Sequence, residues 1–150
     1  MSPRSYIETN SLQADLETLR QCEGYDFAAI ATPERFRSGA PIKWQFVSGN
    51  TNDRYKLIVL KKGRGLAGMV MKTGKRMIIE QVDQEIGFEE RLKYPILLSE
   101  NLTSLIAIPL WFENELWGVL LLGQRQNKPL PDNFDKVNIQ GKLSVFSEGL

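Results

Sequence analysis

Residues 116–123, Leu-Trp-Gly-Val-Leu-Leu-Leu-Gly, form a near-continuous apolar run. Such a strand has no polar side to offer water, so it belongs at the centre of a sheet with both faces covered. Thr103 to Phe112 reads as a second strand, ending in Pro109-Leu110-Trp111-Phe112. Glu113-Asn114-Glu115 supplies the turn between them, which makes an antiparallel hairpin. The rest of the chain must therefore provide two covering layers.

Residues 10–23 predict a helix, with Leu12, Leu16, Leu19 and Cys22 in a narrow apolar stripe that sets Cys22 toward the core. Gly24 ends it. Asp26 to Thr32 is a strand, residues 35–41 a loop, and Ile42 to Ser48 an alternating strand. Its pattern puts Ile42, Trp44 and Phe46 on one face. Residues 49–53 are a turn or helix-entry segment, and Tyr55 to Leu60 a short helix or irregular run. Met77 to Gln81 is a strand. Pro95 opens a further helix containing Ile96, Leu97, Leu98 and Leu102. Asp132 is placed to cap a last helix carrying Phe134, Val137, Ile139, Leu143 and Phe146. The sum is an α+β fold, one domain over residues 1–150. A central, mostly antiparallel sheet has the N- and C-terminal helices on one face and short helices and loops over the other.

Between these strands lies Lys62-Gly63-Arg64-Gly65-Leu66-Ala67-Gly68-Met69-Val70-Met71-Lys72-Thr73-Gly74-Lys75. The glycines allow a tight turn, Leu66 to Lys72 reads as a short helix, and Gly74 stops it. The first N–H groups of a helix lack partners within it, and the peptide dipoles make that end electropositive. A glycine-flanked start is thus an anion-site candidate. Gly63, Gly65 and Gly68 match G-x-G-x-x-G, but Glu80 and Asp83 come too early for a dinucleotide fold, and no Gly-Lys-Ser/Thr follows. By default the segment is a turn and a packed helix. Arg64 stands beside the helix start as a source of charge, and the basic group Lys61, Lys62 and Arg64 reads as a solvated edge.

The chain has no histidine, one cysteine and a net charge of +1. That leaves no imidazole for a metal, a haem or a catalytic triad, and one thiol holds neither zinc nor an iron–sulfur cluster. No carboxylate constellation stands out, so an enzyme is the weakest reading, and no metal or cofactor is expected. The near-neutral charge gives no field for nucleic acid or membrane. With no long apolar span and a mostly polar first ten residues, a cytoplasmic location is expected.

The pattern resembles a GAF domain. The markers are Gly63-x-Gly65-Leu66-Ala67-Gly68-x-Val70 with Thr73-Gly74-Lys75, then Ser104-Leu105-Ile106-Ala107-Ile108-Pro109-Leu110, then Leu116-Trp117-Gly118-Val119-Leu120. The resemblance spans nearly the whole chain and implies a stand-alone domain without an output module. Several ligand classes of that family are disfavoured. Bilin members need a suitably placed cysteine, and Cys22 lies in the wrong segment. Free-methionine sulfoxide reductases use several cysteines, cyclic-nucleotide members an Asn-Lys-x-Phe-Asp-Glu pattern, and haem members a histidine.

More specific stretches are similar to the nitrate receptors within the family: Lys43-Trp44-x-Phe46-Val47-Ser48-Gly49, Tyr55-Lys56-x-Ile58-Val59-Leu60, and Tyr94-Pro95-Ile96 followed by Ser99-Glu100-x-Leu102. This resemblance implies nitrate held between two helix starts. Leu66 and Ala67 at the first and Ile96 at the second would donate backbone N–H groups. Trp44, Tyr94 and Pro95 would wall the site. It also implies a sensor histidine kinase as partner, and is compatible with a homodimer. Nitrate is a planar, weakly hydrated monoanion that suits a neutral pocket with a few donors, whereas an unpaired dianion would be costly to bury. Four heavy atoms at a ceiling of about 1.5 kcal/mol each give roughly 6 kcal/mol, a dissociation constant of tens of micromolar or weaker. The alternatives are a sensor of nitrite, a carboxylate or a hydrophobic metabolite, and a ligand-free dimerisation or docking module.

Overall fold

The computed structural model describes residues 9–34, 39–143 and 146–148. The chain begins with helix α1 (Thr9–Glu23), followed by strands β1 (Phe27–Pro33) and β2 (Ile42–Ser48). A 3-10 turn (Arg54–Leu57) leads to helix α2 (Gly65–Thr73) and strand β3 (Met77–Ile79). Three short helices follow, α3 (Val82–Glu85), α4 (Phe88–Arg91) and α5 (Pro95–Ser99), and then the hairpin β4 (Ser104–Phe112) and β5 (Glu115–Gln124). The strands form one antiparallel sheet in the order β2-β1-β5-β4-β3. The apolar β5 is the middle strand, and everything from Trp117 to Gln124 is buried. Among the described residues no helix is long and apolar enough to cross a membrane.

Alternation along the strands splits the interior into two cores. Ala28, Ile30, Ile106, Ile108, Leu120 and Leu122 face one side, where Leu12, Leu16 and Leu19 of α1 pack on them. Each such leucine contributes about 2 kcal/mol when withdrawn from water. Phe27, Ala29, Ala31, Leu105, Ala107, Val119 and Leu121 face the other side, beneath Leu66, Ala67 and Val70 of α2 and Ile96 and Leu97 of α5.

The C-terminal helix predicted from Asp132 does not form. Phe134–Lys136 is a single 3-10 turn, and no α-helix follows β5 among the described residues. Pro129, Pro131 and Gly141, at φ +74°, interrupt the backbone, and the spacing of Val137 and Ile139 is not helical. The side chains still do the covering expected of them, because Val137, Ile139, Leu143 and Phe146 are all buried against the α1 side. Phe146 stacks on Trp117 with ring centroids 4.2 Å apart. Ser147 then pairs with Trp111 through two backbone hydrogen bonds, of 2.7 and 3.0 Å, along a stretch of β4 beyond the reach of β3. Arg76 ties the same segment down by bonding the carboxylate of Glu148 and the carbonyl of Val137.

Two finer expectations also fail. Cys22 is exposed. At about 100° per residue it points roughly 90° away from the mean direction of Leu12, Leu16 and Leu19, and Glu23 continues the stripe instead. Phe46 does not share a face with Trp44. The β1–β2 ladder pairs Ile30 with Phe46 and Ala31 with Trp44, so Gln45 is an extra residue. This bulge shifts the alternation: Ile42 and Trp44 enter the α2 side, whereas Phe46 packs with the α1 side.

Candidate functional site

The glycine segment builds its turn by backbone contact. Gly65 holds φ at +68°, and an added Cβ there would lie 2.6 Å from Cδ2 of Leu60. At Gly68 a Cβ would come within 2.3 Å of the carbonyl oxygen of Lys61. The N–H of Gly63 donates to the carbonyl of Gly68 at 2.7 Å, and that of Arg64 to Lys61 at 2.9 Å. The turn is thereby folded back on the helix it launches. Leu60, in contact with Gly65, pairs in turn with Ile42 of β2.

At the first turn of α2, the cap residue Arg64 makes no side-chain capping bond. The first turn of α5 is also uncapped, with Tyr94 as the cap residue and Pro95 in the first helical position. Pro95 has no N–H, and the N–H of Leu97 is taken by the carbonyl of Tyr94 at 3.0 Å. Ile96 therefore carries the N–H that α5 can offer at this end. The two starts meet at one cleft of about 470 Å³, lined by Leu60, Gly63, Arg64, Gly65 and Met69 on one side and Glu90, Lys93, Tyr94 and Pro95 on the other.

The six sequence-predicted residues fall into two groups. Tyr94 and Pro95 line the open cleft. Trp44, Leu66, Ala67 and Ile96 are buried together in the core on the α2 side of the sheet, 3, 0, 0 and 1 % exposed. Tyr94 packs against that core from outside. Among the described residues the indole N–H of Trp44 is buried without a hydrogen-bond acceptor, an expensive arrangement for a donor. Burial, and secondly the carboxylate of Glu90, raise the pKa of Tyr94 above the ordinary 10.0, so its hydroxyl stays neutral.

The cleft is not free of formal charge, contrary to the neutral pocket expected. Arg64, exposed, lines it together with Lys93 and Glu90. Glu90 and Lys93 are missed by sequence reasoning because α4 and the turn after it have no periodic pattern to announce them. Their position follows from that turn, where Lys93 and Tyr94 donate their N–H groups to the carbonyls of Glu90 and Arg91, both at 3.0 Å.

A five-stranded antiparallel sheet thus carries α2 and the short helices on one face, where they enclose a cleft. The chain belongs to the GAF domain family, whose profile matches residues 10–140. Among solved structures it is similar to a Staphylococcus aureus NreA protein mutated in its nitrate binding site, with 57 % identity and a TM-score of 0.83 over 87 % of this chain and 95 % of that one. A second NreA mutated in that site, from the same organism, shows 56 % identity and a TM-score of 0.82 over 90 % and 100 %. A hypothetical protein from S. aureus shows 58 % identity and a TM-score of 0.79 over 81 % and 98 %. No curated protein sequence matches at a significant level.

Proposed function

We propose that this chain is a cytoplasmic nitrate receptor which binds the anion where α2 and α5 begin and so controls its contact with a sensor histidine kinase. In this reading the backbone N–H groups of Leu66, Ala67 and Ile96 donate to nitrate oxygens, and Trp44, Tyr94 and Pro95 enclose the ion. The single observation that carries it is the indole N–H of Trp44, buried without an acceptor among the described residues, in the core beneath two uncapped helix starts. An anion oxygen supplies the acceptor that the protein does not. Similarity to NreA proteins described by a nitrate binding site supports the choice of anion.

The coupling to a kinase requires that empty and occupied forms differ in affinity for it. Pro95 lies in the wall of the cleft and also borders a neighbouring apolar groove with Leu57, Val59, Leu92 and Leu98. Those four side chains are exposed, which supports a protein partner near the site. No turnover is assigned, since the chain has no histidine and one cysteine.

Calorimetric titration of the purified protein with nitrate tests the reading, with nitrite, acetate, chloride and sulfate as controls. The expected result is saturable binding at one site per chain, tens of micromolar or weaker, with sulfate far behind. Arg64 and Lys93 also suit a small carboxylate, so acetate binding in place of nitrate would transfer the site to that class. Silence toward every anion in folded protein would remove the receptor reading.

A further inference from the structure

Glu100 is a wholly buried acidic residue with no part in the proposed anion contacts. It follows α5 directly, and its N–H donates to the carbonyl of Ile96 at 3.1 Å. Its side chain is 0 % exposed. Oε1 accepts from the N–H of Thr51 at 2.9 Å, from the hydroxyl of Thr51 at 3.1 Å and from Nη2 of Arg125 at 2.5 Å. Oε2 is buried without a partner among the described residues. Arg125 returns through Nε to the backbone carbonyl of Glu100 at 2.8 Å and through Nη2 to that of Gly49 at 3.0 Å. The carbonyl of Ser99 accepts from Nδ2 of Asn52 at 2.6 Å and Nη2 of Arg54 at 3.1 Å.

A helix of five residues has no stability of its own. Its place is set by what holds its ends, and here the C-terminal end is gripped by residues 49–54 and by Arg125. From Glu100 to Ile96 is one helical turn, about 6 Å. A buried carboxylate with one bare oxygen is a poor way to gain stability, and its best-attested use is to fix one arrangement over others.

We infer that Glu100 is a positioning residue for the anion site: it clamps α5 in the register that sets Pro95 in the cleft wall and fixes the N–H of Ile96 beside it. The inference rests on the proposed site between α2 and α5. Arg125 and Thr51 act through it, Asn52 holds the neighbouring carbonyl of Ser99, and none of these four lines the cleft.

The test compares Glu100→Gln with Leu16→Ala, which weakens the core on the opposite side of the sheet. Asn52→Ala, on the surface loop, removes one of the two bonds to the carbonyl of Ser99, leaving that from Arg54, and covers the case of a Gln variant that does not fold. Nitrate affinity is read by calorimetry, and hydrogen exchange of the peptide spanning Ile96 to Ser99 is read without ligand. Glu100→Gln is expected to bind nitrate about tenfold more weakly, a coupling of ordinary size, and to exchange faster in α5. Asn52→Ala should move both readouts the same way by less. Leu16→Ala should lower the melting temperature and move neither. Wild-type affinity and exchange in folded Glu100→Gln, or equal losses in Leu16→Ala, would overturn the clamp. The exchange readout decides the clamp without nitrate, whereas a wild-type protein silent to nitrate removes the receptor reading alone.

Discussion

Ala31 pairs with Trp44, one residue beyond the Gln45 that a regular ladder from Ile30 and Phe46 would bring to it. The extra residue, Gln45, is what places the indole in the core beneath α2 and α5 and sends Phe46 to the other face. If the indole N–H donates to nitrate, Trp44→Phe removes that bond and keeps an aromatic wall. A hydrogen bond to a charged group is worth about 1.5–3 kcal/mol, so nitrate should bind roughly 10- to 150-fold more weakly. Removing a buried unpaired donor also relieves the empty protein, so Trp44→Phe should unfold in urea much closer to wild type than Trp44→Ala does. Unchanged nitrate affinity in the Phe variant would take the indole out of the site.

Gly68→Ala tests the glycine framework. A methyl 2.3 Å from the carbonyl of Lys61 cannot be accommodated without moving the turn off the helix. Overpacking of this kind costs about 1–3 kcal/mol or more. Urea denaturation should show that loss, and the displaced start of α2 should weaken nitrate binding beyond it. A stable variant with unaltered affinity would mean that the turn adapts freely.

Tyr25 offers a pH signature. It is 3 % exposed, its hydroxyl has no partner among the described residues, and burial, helped by Glu23 and opposed by Arg76, raises its pKa from 10.0 to about 12. The folded state therefore holds this proton more tightly than the unfolded one. Its contribution is full below pH 10 and is lost as pH climbs toward about 12. Tyr25→Phe should flatten that alkaline fall in stability and cost little at pH 7, where an unpaired hydroxyl is exchanged for hydrogen. An identical alkaline limb in the variant would assign it to other groups.

Asp26 gives the acid counterpart. Burial opposes its ionisation, but the Lys128 ammonium, at 2.8 Å, and the N–H of Arg125 outweigh that and hold its pKa below 3.8. Its stabilisation is present above 3.8 and disappears as pH falls through the lower folded value. Asp26→Asn should lower stability at neutral pH and lose part of the acid dependence, as read by thermal melts from pH 2 to 6.

Cys22 should react in the native protein. With the thiol exposed, a chromogenic disulfide reagent is expected to titrate one thiol per chain without denaturant. Labelling that requires urea would return the side chain to the core.

Much of the sheet can be read from the residues alone. The run from Leu116 to Gly123 has no polar side, which forces the centre, and Pro109 with the turn at 113–115 fixes its hairpin partner. Helix punctuation is equally legible: Gly74 at φ +68° stops α2, and Pro95 opens α5. What escapes is set by distant partners. The bulge at Gln45 depends on how β1 is already paired to β5, and strict alternation gives no hint of it. The segment after β5 has enough apolar residues for a helix, but its prolines and Gly141 let side chains cover the sheet without regular backbone. At the site, the two helix starts are local features, whereas Glu90 and Lys93 reach the cleft through the geometry of a turn that composition does not mark.

The pairing of Ser147 with Trp111 has a consequence for how this molecule behaves among its own copies. β3 reaches only as far as Ala107 along β4, so the second half of β4 would otherwise present bare peptide groups on a highly apolar strand. Such a border recruits strands from other chains. Residues 146–148 occupy it, held by Phe146 on Trp117 and by Glu148 on Arg76. These residues thus close a sheet border as well as cover a core, and a proteolytic nick before Phe146 would open a seam for sheet-to-sheet aggregation.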